Sequence, residues 1–198
     1  MLVGYLLGSL PFADQISRRH GVNIFAVGTG LAGASNVRRC IGTGPALLVF
    51  LGDLGKGALA VLAGGFIGVE GVALLAVAGA AVVGHWKSVF TGFKGGDGFA
   101  TLGGTTLVLF PAYSVVAIGA AMLVALGSKK LPYPSSMSVV VGYGTLVSLS
   151  LAYDGDVVMT VGSGILAAMV LAHAIIGHWR RRHVEWHAEG ANGAARQV

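Results

Sequence analysis

From Phe99 to Gly127 the chain carries no charged side chain across 29 residues. No water-facing element of that length goes uncharged, so this stretch belongs in a membrane or in the middle of a helix bundle within one. As a single α-helix it would run about 43 Å, against a hydrocarbon core of about 30 Å. Pro111 interrupts it, so two short helices broken near that proline are the better expectation. The rest of the sequence agrees with a membrane setting. Only 11% of residues are charged and the mean hydropathy is +0.78, where a soluble domain carries about 25% charge. Thirty-three glycines suit close helix packing, glycine-rich loops, or both.

Further apolar segments fall at Met1–Ile16, Pro45–Ile67, Val72–Gly84, Ser135–Tyr153 and Val157–Ile176. If Phe99–Gly127 crosses twice, the charges sort by side. Arg18–Arg39, Lys87–Lys94, Lys129–Lys130 and Arg180–Arg182 then share one face, and Glu70, Asp154 and Asp156 the other. By the positive-inside rule the amino terminus is outside and the carboxyl terminus cytoplasmic. The fold class expected is an all-α polytopic membrane protein of about seven transmembrane helices, some short or re-entrant, with glycine-rich cytoplasmic loops. One domain is expected over residues 1–189, followed by a disordered tail at 190–198.

The net charge of +5 is explained by this topology, and no nucleic-acid partner is expected. A single cysteine, Cys40, excludes an intrachain disulfide and any multi-cysteine metal site. His183 and His187 stand i, i+4, but no third ligand is identifiable, so no metal is expected. Met1–Leu10 lacks a basic n-region and a small-residue cleavage site, and is expected to remain as the first span.

Four segments carry chemistry. The first, "VGTGLAGASNVRR" at Val27–Arg39, places Gly28, Gly30 and Gly33 where successive backbone N–H groups can form an anion nest. Thr29, Ser35 and Asn36 add neutral donors, and Arg38 and Arg39 add guanidinium forks suited to phosphate. The plainer account is a flexible loop with topogenic arginines. The second, "GHWKSVFTGFKGGDGFA" at Gly84–Ala100, repeats the glycine cluster with His85, Lys94, Gly95, Gly96 and Gly98. It does not match a Walker loop. Two such loops on one membrane face favour a shared phosphate pocket over ordinary turns. The third, "LGDLGKG", puts Asp53 and Lys56 on one helix face, either as a locking ion pair or with Lys56 facing the pocket. The fourth, "HAIIGHWRRRHVEW", brings His173 and His178 towards the membrane surface.

This combination resembles the membrane-integral acyl-phosphate:glycerol-3-phosphate acyltransferases, the PlsY family, over nearly the whole chain. "GSLPF" at Gly8–Phe12 opens the likeness. The glycine loop at Gly28–Arg39 is similar to G-S-G-N-x-G-A-x-N-x-x-R, "GDLGKG" to L-D-x-x-K-G, and "GHWKSVFTGFKGGDG" to G-H-x-x-P-x-F-x-x-F-K-G-G-K-G. The resemblance implies a seven-spanning enzyme of the bacterial cytoplasmic membrane with a cytoplasmic active site. It implies acyl transfer from acyl phosphate to the 1-hydroxyl of glycerol 3-phosphate, giving lysophosphatidic acid and phosphate, with no cofactor. It carries over Thr29, Arg39 and His178 as catalytic residues. His178 is the better match to the family's carboxyl-terminal histidine and His173 the second. It matches Asn36, Lys56, His85, Lys94, Gly95, Gly96 and Gly98 as substrate-binding positions, to which the reading of the loops adds Gly28, Gly30, Gly33, Ser35, Arg38 and Asp97.

The departures are specific. Leu31 replaces a motif asparagine, Ser88 a proline, and Asp97 the second lysine of K-G-G-K-G. Near a bound dianion the last exchange reverses attraction, at about 4 kcal/mol per unit pair for 4 Å and an effective dielectric of 20. Three accounts follow: the usual reaction with Lys87 or Arg38 supplying the charge, an altered acceptor with Asp97 binding hydroxyls or acting as base, or a non-catalytic member that binds lipid or a membrane-protein partner.

Overall fold

The computed structural model describes the backbone of residues 1–127 and 134–195, and the side chains of 1–127 and 135–179. Lys129 and Lys130, the side chains of Arg180–Arg182, His183 and His187, and residues 196–198 lie outside these. Nine α-helices are seen among the described residues: α1 Leu2–Gly8, α2 Phe12–Arg19, α3 Ala34–Cys40, α4 Thr43–Phe66, α5 Ala73–Trp86, α6 Phe99–Leu109, α7 Pro111–Gly127, α8 Pro134–Ala152 and α9 Val157–Ala195. Three of them, α4, α8 and α9, are long and apolar enough to cross a membrane by length and composition.

The uncharged stretch divides at Pro111 as its chemistry requires. Met1–Ile16, expected as one span, does not form one helix. Pro11 has no N–H to continue the ladder, and the chain turns at Ser9–Pro11. This leaves α1 about 10 Å long and sends α2 off as a separate polar helix. On α2, Asp14 is buried and accepts from Arg18 Nε at 2.7 Å. That carboxylate raises the Arg18 pKa above its ordinary value, through the hydrogen bond and the charge. Helix α9 runs from Val157 as far as Ala195.

Glycines set the helix spacing. A Cβ on Gly4 would lie 2.7 Å from the Val77 carbonyl oxygen, and one on Gly8 would strike the Ala81 backbone. Both steps are four residues, so α1 and α5 run parallel in small-residue contact. Gly57 and Gly104 play the same part between α4 and α6, against the backbones of Thr101 and Leu54.

Pairwise contacts give the directions. Gly64 on α4 faces Leu74 and Val77 at the start of α5, while Asp53 meets His85 at its end, so these helices are antiparallel. Gly79 lies on Leu166 and Trp86 on His173, so α9 runs with α5. Ser150 bonds Thr160 and Gly164 abuts Tyr143, so α8 opposes α9. Tyr113 stacks on Tyr153 and Ala121 abuts Gly142, so α7 opposes α8. Helix α6 begins beside Trp86 and ends with Phe110 packed near Ala117, Leu146 and Met159. From α4 onward the helices therefore alternate. Arg18, Arg19, Arg38, Arg39, Lys87 and Lys94 gather at one end, with Glu70, Asp154 and Asp156 at the other. Some hydroxyls inside the bundle bond helix carbonyls, as half-buried Tyr143 does to Thr160 at 2.6 Å and buried Thr105 to Leu102 at 2.8 Å, which satisfies them in an apolar medium.

Candidate active site

The first glycine loop is built around one side chain. Asn36, 1% exposed on α3, donates from Nδ2 towards the carbonyls of Ile24 at 3.2 Å and of Val27 and Leu31 at 3.1 Å. Its Oδ1 accepts from the Thr29 N–H at 3.0 Å. A Cβ on Gly28 would collide with that oxygen, and Gly28 and Gly30 hold φ of +57° and +66°, values that glycine adopts without cost. Gly33 is extended, at φ −154°. The amide of Asn36, an expected substrate-binding residue, bonds the loop's own backbone. Part of the expected anion nest is taken up within the protein. The N–H groups of Gly30, Ala32 and Gly33 donate to Val27, Gly95 and Leu31 carbonyls, and that of Thr29 to Asn36.

The second loop is held at both ends. Ser88, buried where the motif has proline, donates from its hydroxyl to the Ser9 carbonyl at 2.6 Å. At the other end Trp86 Nε1 donates to the Asp97 carbonyl at 2.8 Å. The Trp86 ring stacks on His173 with centroids 4.3 Å apart. A Cβ on Gly95 would strike the His85 carbonyl and one on Gly96 the Ala32 carbonyl. Ala32 N–H donates to Gly95 at 3.1 Å. The two glycine loops thus meet, as their shared membrane face predicted, and these glycines serve close backbone approach.

Beneath the junction lie Asp53, Lys56 and His85, each 6% exposed or less. Lys56 Nζ is 2.8 Å from Asp53 Oδ1 and donates to the Leu10 carbonyl at 2.9 Å. His85 Nδ1 is 3.6 Å from the same carboxylate oxygen, too far for a hydrogen bond. Lys56 is locked in an ion pair and also lines a small void. Asp53 and His85 form the wall between two cavities. One, of about 10 Å³, is lined by Lys56, Ser88, Thr91, Lys94 and Gly95. The other, of about 290 Å³, has a polar end at Ser35, Asp53, His85 and Asp97. It continues along apolar side chains such as Leu54, Phe99, Ile118, Met122 and Leu146. Leu31 and Gly98 line it as well.

Other expected residues stand apart from both linings. Arg38 and Arg39 are exposed on α3, and Thr29 is half-buried on the loop. Lys94, which does line the small cavity, is exposed, with Nζ 5.9 Å from the Phe25 ring centroid, so it reaches from the second loop to the first. His173, the second choice for the motif histidine, touches the second loop's anchor Trp86, while His178 lies five residues further along α9. Sequence reasoning passed over Trp86 as a site residue and treated Asp53 only as a lock. The one available signal was their adjacency to His85 and Lys56.

A family model described as glycerol-3-phosphate acyltransferase matches residues 1–185. The chain belongs to the glycerol-3-phosphate acyltransferase family. A relative of that name from Rubrobacter xylanophilus is 42% identical over 141 residues, 71% of this chain and 69% of the relative. Another, from Roseiflexus sp., is 35% identical over 175 residues, 87% of this chain and 86% of the relative. The crystal structure of PlsY, an integral membrane glycerol 3-phosphate acyltransferase, in its glycerol 3-phosphate form superposes with TM-score 0.71 at 30% identity. That match covers 96% of this chain and 90% of PlsY. The lysophosphatidic acid form gives 0.68 at 29%. The all-helical polytopic fold and the family membership expected from the motifs both hold.

Proposed function

We propose that this chain transfers a fatty acyl group from acyl phosphate to the 1-hydroxyl of glycerol 3-phosphate, releasing phosphate and forming lysophosphatidic acid. The observation that carries this is the paired cavities on either side of Asp53 and His85. One side offers Lys56, Lys94 and hydroxyls; the other offers a long apolar channel with a polar head. A substrate pair that is phosphate at one end and hydrocarbon at the other fits that division. The small cavity holds about one water, so phosphate binds at its mouth, where Lys94 is exposed.

Acyl phosphate is an activated mixed anhydride, so the protein needs no nucleophile of its own. Its work is to hold two anions together, aim the hydroxyl at the carbonyl carbon and stabilise the oxyanion. Seven crossings of a bacterial cytoplasmic membrane, with the amino terminus outside and the site facing the cytoplasm, accord with the alternating helices and the charge segregation. Acyl transfer by the purified protein in lipid, from palmitoyl phosphate to labelled glycerol 3-phosphate, tests the reading. Labelled lysophosphatidic acid is expected; its absence under conditions where the protein is folded overturns the proposal.

A further inference from the structure

Below its polar head the large cavity is a channel between α4, α6, α7, α8 and α9. The hydroxyls of Thr106, Ser138, Tyr143 and Ser163 reach its wall, and each donates to a helix carbonyl: to Leu102 at 2.9 Å, Ser135 at 2.7 Å, Thr160 at 2.6 Å and Thr160 at 2.9 Å. With those donors spent, the wall suits unsubstituted hydrocarbon. At the far end Leu146 and Ala117, both buried, pack with Phe110 and Met159. Beyond them Ser150 and Thr160 hydrogen-bond at 2.7 Å. The helix rise gives the depth. Gly98 to Thr106 on α6 and Ser135 to Leu146 on α8 both span head to floor, which makes the channel about 12–17 Å long. With carbon–carbon bonds of about 1.5 Å, an extended chain advances about 1.25 Å per carbon, so about ten to fourteen carbons reach the floor. Gly103 lies on the same wall about 8 Å below Gly98. Its neighbour Gly104 admits the Leu54 backbone, but a Cβ on Gly103 would meet only the Leu54 δ-carbon, at 3.7 Å, an ordinary contact. Glycine is a poor helix former, so neither packing nor helix stability calls for it here. What it leaves is open bore.

We propose that Gly103 and Leu146 set the acyl-chain specificity of this protein, Gly103 by keeping the channel open at mid-depth and Leu146 by closing its floor. This rests on the acyltransferase reading above. The reacting end of the acyl group lies at the head and its hydrocarbon fills the channel. In a membrane the competing surroundings of that chain are lipid, as apolar as the channel itself, so burial alone does not discriminate between chains. Fit does. A chain longer than the channel must bend against Leu146 or draw its carbonyl away from the reacting position, and a small misplacement of a reacting group costs rate steeply. Both residues belong to the described part of the chain, on α6 and α8.

The test measures kcat/KM in one lipid composition with hexanoyl, lauroyl, palmitoyl and stearoyl phosphate as donors and glycerol 3-phosphate as acceptor. Ratios between chains are taken relative to wild type, which cancels their different partitioning into lipid. One methylene too many in an apolar pocket is worth about 10- to 200-fold. Gly103→Leu is expected to lower the palmitoyl-to-hexanoyl ratio by at least about tenfold, and Gly103→Ala to move it the same way by less. Leu146→Ala is expected to raise the stearoyl-to-lauroyl ratio by about tenfold. Leu146→Val, a smaller excision, should move it in the same direction and replaces the alanine variant if that one does not fold. A merely structural role would lower kcat/KM equally for every chain. Equal losses, or ratios unchanged from wild type in the Gly103 and Leu146 variants, overturn the proposal and leave the acyltransferase reading intact. A wild type inactive with every donor overturns both.

Discussion

Asn36→Ala separates a loop clamp from a substrate ligand. In the folded chain the Asn36 amide serves three carbonyls with two N–H groups and accepts the Thr29 N–H, all at 3.0–3.2 Å. Alanine removes both donors and the acceptor together. Each such bond is worth about 1 kcal/mol net, and a buried group left unsatisfied costs about 1–3 kcal/mol more. Partial hydration of the loop offsets some of that, leaving a loss of about 3 kcal/mol by the same values. For a chain of this size that corresponds to roughly 6–12 °C in Tm. Thermal unfolding of the purified protein in one detergent reads the change directly, with acyl transfer measured beside it. Activity is expected to fall together with Tm, and to be regained on cooling. An Asn36→Ala protein that melts with wild type but shows a collapsed kcat/KM would refute the clamp and return Asn36 to the substrate.

Lys56→Met strands Asp53 in the bundle and is expected to cost about 3–5 kcal/mol; adding Asp53→Asn removes the orphaned charge and should restore most of the Tm. Gly104→Ala drives a methyl into the Leu54 backbone, where α4 has no room to yield, and is expected to cost about 1–3 kcal/mol or more, visible as lost monodisperse protein on gel filtration. In a Cys40→Ala background, cysteines at Lys87 and Glu70 are expected to react with impermeant maleimide from opposite sides of the membrane; labelling from the same side would overturn the alternating topology.

The local chemistry of the chain was enough to determine its setting and its outline. Scarce charge forces a membrane protein, Pro111 must break the uncharged stretch, and glycines with basic residues recur at what proves to be one end. These are readable because they depend on composition or on neighbours a few residues apart. Pro11 was equally readable and was passed over because the surrounding residues are apolar; a missing N–H decided the helix end regardless. The site was legible as a set of motifs but not as an arrangement. Asn36 acts on groups seven, nine and twelve residues back, Ser88 on Ser9, and Lys56 on Leu10. Only packing decides which face of an amide or ammonium meets which carbonyl. It likewise left Arg38 and Arg39 exposed and put Asp97 in the lining of the larger cavity beside Ser35, Asp53 and His85, because a side chain's partners follow from how helices close on one another and not from the residues beside it in the chain.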